Sequence, residues 1–317
     1  MAAATGARIP RGGGHSKPAG TLPHFIAHLV RAAVAAPPVR GPQPWRLRYS
    51  PARGAIEFYA DPERALLFGD PHGRSVHIGC GAALFNLRLA AARMGREPAV
   101  HLLPRPDEPM LLAAVRLGGA HRPTMSEREL YAAMPRRGTG VQPFANRAVP
   151  GAVLAELAEA ARIEGAVLHL LHPGEAQRVL RLAAGASPPG PPARQRGPGP
   201  ADGRARSTEF EREPRMAVLT TQFRARADWL RAGQALQRVL LLATGRGVCA
   251  RPLSHPMDVP DAWLVRDPGA GVEQPQAILQ LGYGPIVTPA QRHAISVGPA
   301  GPATEPAAPP QRLRARR

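Results

Sequence analysis

Residues 228–244 have the sequence DWLRAGQALQRVLLLAT, and residues 75–94 have the sequence SVHIGCGAALFNLRLAAARM. Both stretches place apolar side chains at the spacing of an α-helix, and each predicts a long buried helix. Gly81-Ala82-Ala83-Leu84 through Gly95 matches Gly233-Gln234-Ala235-Leu236 through Gly247 at a constant offset of 152 residues. The glycine that follows each stretch is a typical helix C-cap.

The matching stretches have two interpretations. Buried helices in general are rich in Ala, Leu and Gly, so the match can arise without common origin. The alternative is a tandem duplication, and an offset close to half of the 317-residue chain favours it. Duplicated halves would pack about a pseudo-two-fold axis, as the subunits of a homodimer do.

Further elements are predicted around the two long helices. LPHFIAHLVRAAVAA at residues 22–36 predicts an amphipathic helix that ends at Pro37. WRLRY and AIEFYA, which follow, alternate like a β-hairpin. A short helix is predicted over residues 126–135, beginning at Ser126 with Glu129 as the partner in a capping box.

These elements predict an α+β protein made of two fused halves, residues 22–120 and residues 121–297. Residues 186–214 are rich in Pro, Gly and Arg without periodicity, and they predict a low-complexity linker inside the second half. The composition of residues 1–21 and 298–317 predicts disordered tails.

The chain is strongly basic, with a net charge of +18, and Lys17 is the only lysine among the basic residues. A positive field of this size attracts polyanions, so an arginine-rich nucleic-acid-binding protein is a remote alternative. Much of the excess charge lies in the predicted tails and linker, however. We therefore do not expect nucleic acid to be the main partner.

Cysteine positions and hydropathy predict the cellular compartment of the protein. Cys80 and Cys249 both lie in apolar segments, which predicts free thiols rather than a disulfide framework. Residues 1–20 lack the apolar run of a secretory signal, and the longest apolar stretches contain Arg or His. We expect a cytoplasmic protein that does not span a membrane.

A metal site is the weaker interpretation of the His and Cys residues near the first long helix. His72, His77 and Cys80 lie close together in the sequence, but a fourth ligand at typical spacing is missing. We expect no metal ion.

Three other segments carry the polar and cationic groups that could bind a cofactor. APPVRGPQPW, residues 36–45, joins a predicted helix to a predicted strand. Arg136-Arg137-Gly138-Thr139 follows the short helix, with Pro143-Phe144 behind it. PQAILQLGYG ends at Gly284 and is followed by Thr288-Pro289 and Arg292.

The order of these segments resembles the FMN-dependent nitroreductase family, in its fused two-half branch typified by the Acg proteins. The resemblance runs from about residue 22 to residue 297, leaving out the linker, and the stretch Asp228–Thr244 is its most specific part. It implies a mixed sheet flanked by helices, with FMN between two halves that stand in for a dimer. It also implies a monomer that takes electrons from NAD(P)H and reduces nitroaromatic or quinone-like small molecules.

The resemblance also implies which residues contact FMN. Arg136, Arg137 and Thr139 match the segment that contacts the phosphate and ribityl chain, and Arg292 resembles a C-terminal phosphate contact. Leu253 and Ser254 lie where the family runs its backbone past the flavin N5 edge. The contacts to the ring are expected from the loop before the first strand, namely from Arg40, Gly41, Gln43 and Trp45. The catalytic residues are not predicted.

The ring-facing loop departs from the branch pattern APSxHNxQPW. Pro38, Arg40 and Gly41 replace its Ser, His and Asn, so the usual polar groups are absent. Arg40 could supply positive charge, and Gln43 remains as donor and acceptor. A non-catalytic homologue that binds or sequesters FMN, or that has lost it, is therefore a second hypothesis.

Overall fold

The computed structural model describes residues 24–36, 43, 45–61, 72–138, 144–177, 215–253 and 273–284. The described elements are helices α1 to α5 and strands β1 to β8. In chain order they are α1 His24–Val34, β1 Trp45–Ser50, β2 Ala55–Ala60, α2 Arg74–Arg93, β3 Arg96–Leu102, β4 Leu111–Ala120, α3 Met125–Ala133, α4 Gly151–Ile163, β5 Val167–Leu170, β6 Arg215–Thr221, α5 Arg226–Gly245, β7 Cys249–Leu253 and β8 Gln274–Gly282.

One order of elements, helix–strand–strand–helix–strand–strand, occurs twice along the chain. The strands form two four-stranded sheets with the same topology, β1-β2-β4-β3 and β5-β6-β8-β7. All strand pairs between the described strands are antiparallel, whereas the resemblance implied a mixed sheet. The α+β class with flanking helices is confirmed. The half boundary at residues 120 and 121 stays a prediction, because α3 lies between the two repeats.

The two long helices, α2 and α5, cross at their matching glycines. A Cβ atom placed on Gly81 would lie 2.1 Å from the Leu230 carbonyl oxygen, and one placed on Gly233 would lie 2.0 Å from the Ile78 carbonyl oxygen. Ile78 and Leu230 are themselves separated by 152 residues. The contact is therefore reciprocal, as in the isologous interface of a two-fold dimer.

The hydrophobic cores interpenetrate in the same reciprocal way. Ile78, from the first repeat, is buried in the core of the second sheet, and Leu230, from the second repeat, is buried in the core of the first. Gln237 Nε2 donates to Asn86 Oδ1 at 2.7 Å between the two helices, and both side chains are fully buried. The two repeats thus share one interior and form one body.

An arginine at the N-terminus of each long helix donates a hydrogen bond to the other repeat. Arg74, at the start of α2, donates from Nη2 to the Pro275 carbonyl oxygen at 2.9 Å. Arg226, at the start of α5 and 152 residues later, donates to the Pro109 carbonyl oxygen beside β4. Arg74 therefore contacts the final strand of the other repeat and Arg226 contacts the residues just before it, which holds the two repeats in register.

Helix α2 is the one described helix with the length and hydropathy of a membrane span. Sixteen of its twenty residues are buried inside the protein. Its packing against α1, α5 and the first sheet therefore accounts for its apolar sequence.

The N-cap of helix α3 lies two residues before the one that the sequence predicted. The N-cap is Thr124, whose Oγ1 accepts from the Glu127 backbone N–H at 3.2 Å, while Glu127 Oε2 accepts from the Thr124 N–H at 2.8 Å. The prediction of Ser126 with Glu129 was wrong, although both pairs have the same S/T-x-x-E spacing. Glu127 also contacts His121 Nε2 at 3.0 Å, a second partner that favours the observed frame.

We expect loss of this capping box to destabilise α3, the helix that precedes Arg136 and Arg137. We expect Thr124→Ala to lower the free energy of unfolding by about 1 kcal/mol.

Partial burial tends to raise the pKa of Glu127, but hydrogen bonds from His121 and Thr124 outweigh it and lower that pKa. A lowered carboxyl pKa contributes stability above the unfolded value, and that contribution is lost as pH falls through the folded value. Urea unfolding between pH 7 and pH 3 should therefore show a smaller acid-induced loss for Glu127→Gln than for the unchanged chain.

Candidate functional site

The first part of the candidate site lies at the C-terminal end of α3. A short 3-10 turn, Met134–Arg136, continues the helix and places the two arginines in different environments. Arg136 is exposed; its Nε donates to the Ala132 carbonyl oxygen at 3.3 Å, and it has no carboxylate partner among the described residues. Arg137 is 5% exposed, and its backbone N–H donates to the Ala133 carbonyl oxygen at 3.0 Å.

The end of α3 is anchored on both long helices. Leu130, Ala133 and Met134 are buried in one apolar cluster with Phe85 and Leu89 of α2 and Leu241 of α5. The Tyr131 hydroxyl also contacts His28 Nε2 of α1 at 3.0 Å. The position of the two arginines is therefore fixed by elements of both repeats.

The second part of the candidate site lies between α1 and β1. Gln43 Nε2 donates to the Val34 carbonyl oxygen at 2.5 Å, which ties the loop to the end of α1. Trp45 is fully buried, and its ring fills the space beside Gly79 of α2, where an added Cβ would lie 2.8 Å from the ring. The Trp45 Nε1–H is buried without a hydrogen-bond partner among the described residues.

The third part lies on the second sheet. Leu253 ends β7 opposite Ile278 of β8 and packs at the edge of the small apolar cluster on that face. On the same sheet, Phe144 lies directly on Gly282, where a Cβ would be 2.8 Å from the ring. The Arg251 guanidinium carbon lies 4.6 Å from the Phe144 ring centroid.

Five of the predicted contact residues lie outside the described residues. They are Arg40, Gly41, Thr139, Ser254 and Arg292. The contacts predicted for these residues therefore stay predictions, as do the FMN contacts predicted for Arg136, Arg137, Gln43, Trp45 and Leu253.

The histidine and cysteine residues weighed as metal ligands have other surroundings. Arg226 Nε donates to His77 Nε2 at 2.9 Å, and the His77 ring packs edge-on against Trp229 at 5.4 Å. Cys80 is fully buried, and burial raises the pKa of its thiol well above the usual range. Within the described residues, no three His, Cys, Asp or Glu side chains form a metal-binding group.

In the second repeat, the connection that corresponds to the loop between α1 and β1 is short. Between α1 and β1 the chain has a loop of ten residues, whereas α4 and β5 are joined by Glu164, Gly165 and Ala166 alone. The Glu164 carboxylate, 6% exposed, lies 2.6 Å from Arg88 Nη1 and 3.0 Å from Arg238 Nη1. The members of this ion-pair cluster are up to 150 residues apart, so no local sequence pattern indicates it.

Comparison with known proteins identifies the family. Rv3131 of Mycobacterium tuberculosis H37Rv, named as a candidate NAD(P)H nitroreductase, is 30% identical over 311 residues, covering 85% of this chain and 89% of that protein. The candidate NAD(P)H nitroreductase Acg of the same organism is 32% identical over 120 residues, 38% of this chain and 36% of that protein. No family model matches the chain.

Solved structures of nitroreductases were also found. A nitroreductase with bound FMN from Desulfitobacterium hafniense is 14% identical with a TM-score of 0.35, covering 55% of this chain and 94% of that one. A nitroreductase-like protein from Bacillus cereus is 16% identical with a TM-score of 0.32, covering 56% of this chain and 91% of that one.

The identity with Rv3131 extends over most of both chains. The chain therefore belongs to the NAD(P)H nitroreductase family, and the resemblance identified from the sequence motifs is confirmed.

Proposed function

We propose that this protein binds FMN, takes electrons from NAD(P)H and reduces nitroaromatic or quinone-like small molecules. The observation that carries this proposal is the reciprocal crossing of α2 and α5 in a chain of this family. The crossing supports a dimer-like arrangement within one polypeptide, and hence a monomer that holds a site between its own halves.

The end of α3 suits the phosphate of FMN. A guanidinium presents N–H groups in a planar fork that matches phosphate oxygens, and such charge-assisted hydrogen bonds are stronger than neutral ones. Arg136 is exposed and has no carboxylate partner among the described residues, so it can accept an anion. Arg137, nearly buried, would hold a phosphate where little water competes.

We place the ring end of the same cofactor beside Trp45. Trp45 contacts α2 at Gly79, while the cluster that anchors α3 contacts α2 at Phe85 and Leu89. These positions lie about 9 to 15 Å apart along the helix axis, a separation comparable with the length of FMN. The buried Trp45 Nε1–H is a donor for which a ligand atom could serve as acceptor. When bound, FMN would supply two-electron chemistry, and the protein would supply orientation and charge.

The asymmetry of the halves supports one cofactor per chain. The pseudo-two-fold would generate a second site, but that site lacks the ring-facing loop. The Glu164 ion pairs with Arg88 and Arg238 occupy the short connection instead.

Anaerobic mixing with a nicotinamide donor tests the proposed activity. Protein loaded with FMN should lose its absorbance near 450 nm on addition of NADPH or NADH, and a nitroaromatic or quinone should restore it. Flavin that stays oxidised with both donors would instead support a protein that binds or sequesters FMN without catalysis.

A further inference from the structure

Glu164 holds one arginine from each long helix beside the same phenylalanine ring. Its carboxylate, at the C-terminal end of α4, accepts from Arg88 Nη1 of α2 at 2.6 Å and from Arg238 Nη1 of α5 at 3.0 Å. The Arg88 guanidinium carbon lies 5.5 Å from the Phe85 ring centroid, and that of Arg238 lies 5.8 Å from it. Arg88 Nη1 also donates to Gln234 Oε1 at 2.8 Å. We call these five side chains the Glu164 cluster.

The carboxylate of the Glu164 cluster serves both arginines at once. Each of its two oxygens accepts from a different guanidinium. The Glu164 side chain is 6% exposed and that of Arg238 is 16% exposed, so water screens this ion pair only weakly. Loss of the negative charge would leave two like charges beside one ring without their shared partner.

Phe85 connects the Glu164 cluster to the end of α3. The ring is buried in one apolar cluster with Ala133 of α3 and with Met134, which follows it. The Arg137 backbone N–H donates to the Ala133 carbonyl oxygen at 3.0 Å, so Arg137 is held by a residue of that apolar cluster. A chain of contacts therefore leads from the two guanidiniums through Phe85 to Arg137.

We propose that Glu164 is a positioning residue for Arg137, acting through the two guanidiniums and the Phe85 ring without touching the flavin. This inference rests on the proposed function, in which Arg137 binds the phosphate of FMN. Because Glu164 lies at the end of α4, the inference makes the FMN affinity depend on how α4 packs against the two long helices.

Glu164→Gln tests the inference, because the amide keeps the shape of the side chain but cannot accept at both positions. One carboxylate oxygen becomes an NH2 group that would face an arginine N–H donor, so one guanidinium must leave its place beside Phe85. Fluorescence titration of the full chain should show an FMN affinity at least about tenfold lower than in the unchanged chain, as expected for a weakened hydrogen bond to phosphate. The affinity for riboflavin, which lacks the phosphate, should not change.

Three further variants separate positioning from general destabilisation. Glu159→Gln makes the same chemical change on α4, where Glu159 pairs with the exposed Arg162, and should bind both flavins like the unchanged chain. In an Arg137→Ala background, Glu164→Gln should weaken FMN binding no further, because its effect passes through Arg137. Phe85→Leu keeps the ion pairs and removes the ring, and it should show the same selective loss of FMN affinity. This last variant decides the test if circular dichroism shows that Glu164→Gln does not fold.

Equal losses of FMN and riboflavin affinity in Glu164→Gln would overturn the inference, because they would indicate a merely structural role. An unaltered FMN affinity, or an additive loss in the double variant, would overturn it as well. In these cases the unchanged chain still binds FMN, and the proposed function stands. An unchanged chain that binds no FMN would contradict the proposed function, and the inference with it.

Discussion

Replacing Gly81 with alanine is expected to lower the free energy of unfolding by about 3 kcal/mol, because the added methyl group overpacks the helix crossing. The new Cβ would lie 2.1 Å from the Leu230 carbonyl oxygen and 3.0 Å from the Gly233 Cα. Both are backbone atoms of α5, so the helices must separate to relieve the clash. The gain in helix propensity from alanine, about 1 kcal/mol, is too small to offset this cost.

The pseudo-symmetry supplies an equivalent variant and a control. Gly233→Ala should cost about as much as Gly81→Ala, because its Cβ would lie 2.0 Å from the Ile78 carbonyl oxygen. Gly245→Ala, in the same helix α5, has no atom within 4 Å of the added Cβ and should be neutral or slightly stabilising. Urea unfolding followed by circular dichroism compares the three. If Gly81→Ala is as stable as Gly245→Ala, the two helices do not cross at their glycines.

Replacing Arg137 with alanine is expected to weaken FMN binding by about 1–3 kcal/mol, the range for a charged hydrogen bond lost from phosphate. Arg137 is the nearly buried member of the arginine pair, so its contacts are less screened by water than those of Arg136. Arg137→Lys should recover only part of the affinity, because lysine lacks the planar fork. Fluorescence titration with FMN measures each affinity.

Controls separate phosphate binding from folding. Arg122→Ala removes an exposed arginine just before the N-cap of α3, and this variant should bind FMN like the unchanged chain. Far-ultraviolet circular dichroism of Arg137→Ala should match that of the unchanged chain at the temperature of the titration. An unaltered FMN affinity in the folded variant would remove Arg137 from the site.

The part of the fold that could be predicted is the helix crossing, because matched glycines in the sequence indicate a close contact. A constant offset between two Gly-x-Ala-Leu stretches predicted the matched pair of long helices, since only glycine allows two backbones to approach this closely. The hydrogen bonds from Arg74 and Arg226 to backbone carbonyl oxygens of the other repeat were not predictable, because a backbone carbonyl carries no residue-specific signal. The N-cap of α3 was placed at Ser126 because two overlapping S/T-x-x-E patterns fit, and His121 decides between them only in three dimensions.

The candidate site was predictable only in part. The motifs located the arginine pair after α3 and the loop before β1, since both are continuous in sequence. The cation–π pairs Arg251–Phe144 and Arg147–Tyr283 join residues about 100 or more positions apart. Glu164 contacts Arg88 of α2 and Arg238 of α5, which are also distant in the sequence. The glycine of LGYG, beneath Phe144, is the one sequence signal that could have indicated a close approach there.

Equilibrium titration of the flavin-free chain with FMN tests the central claim most directly. We expect saturable binding of one FMN per 33.6 kDa chain, and light scattering should show that the species is a monomer. Two FMN per chain would contradict the closure of the second site by Glu164. A monomer that binds no FMN would contradict the proposed function itself.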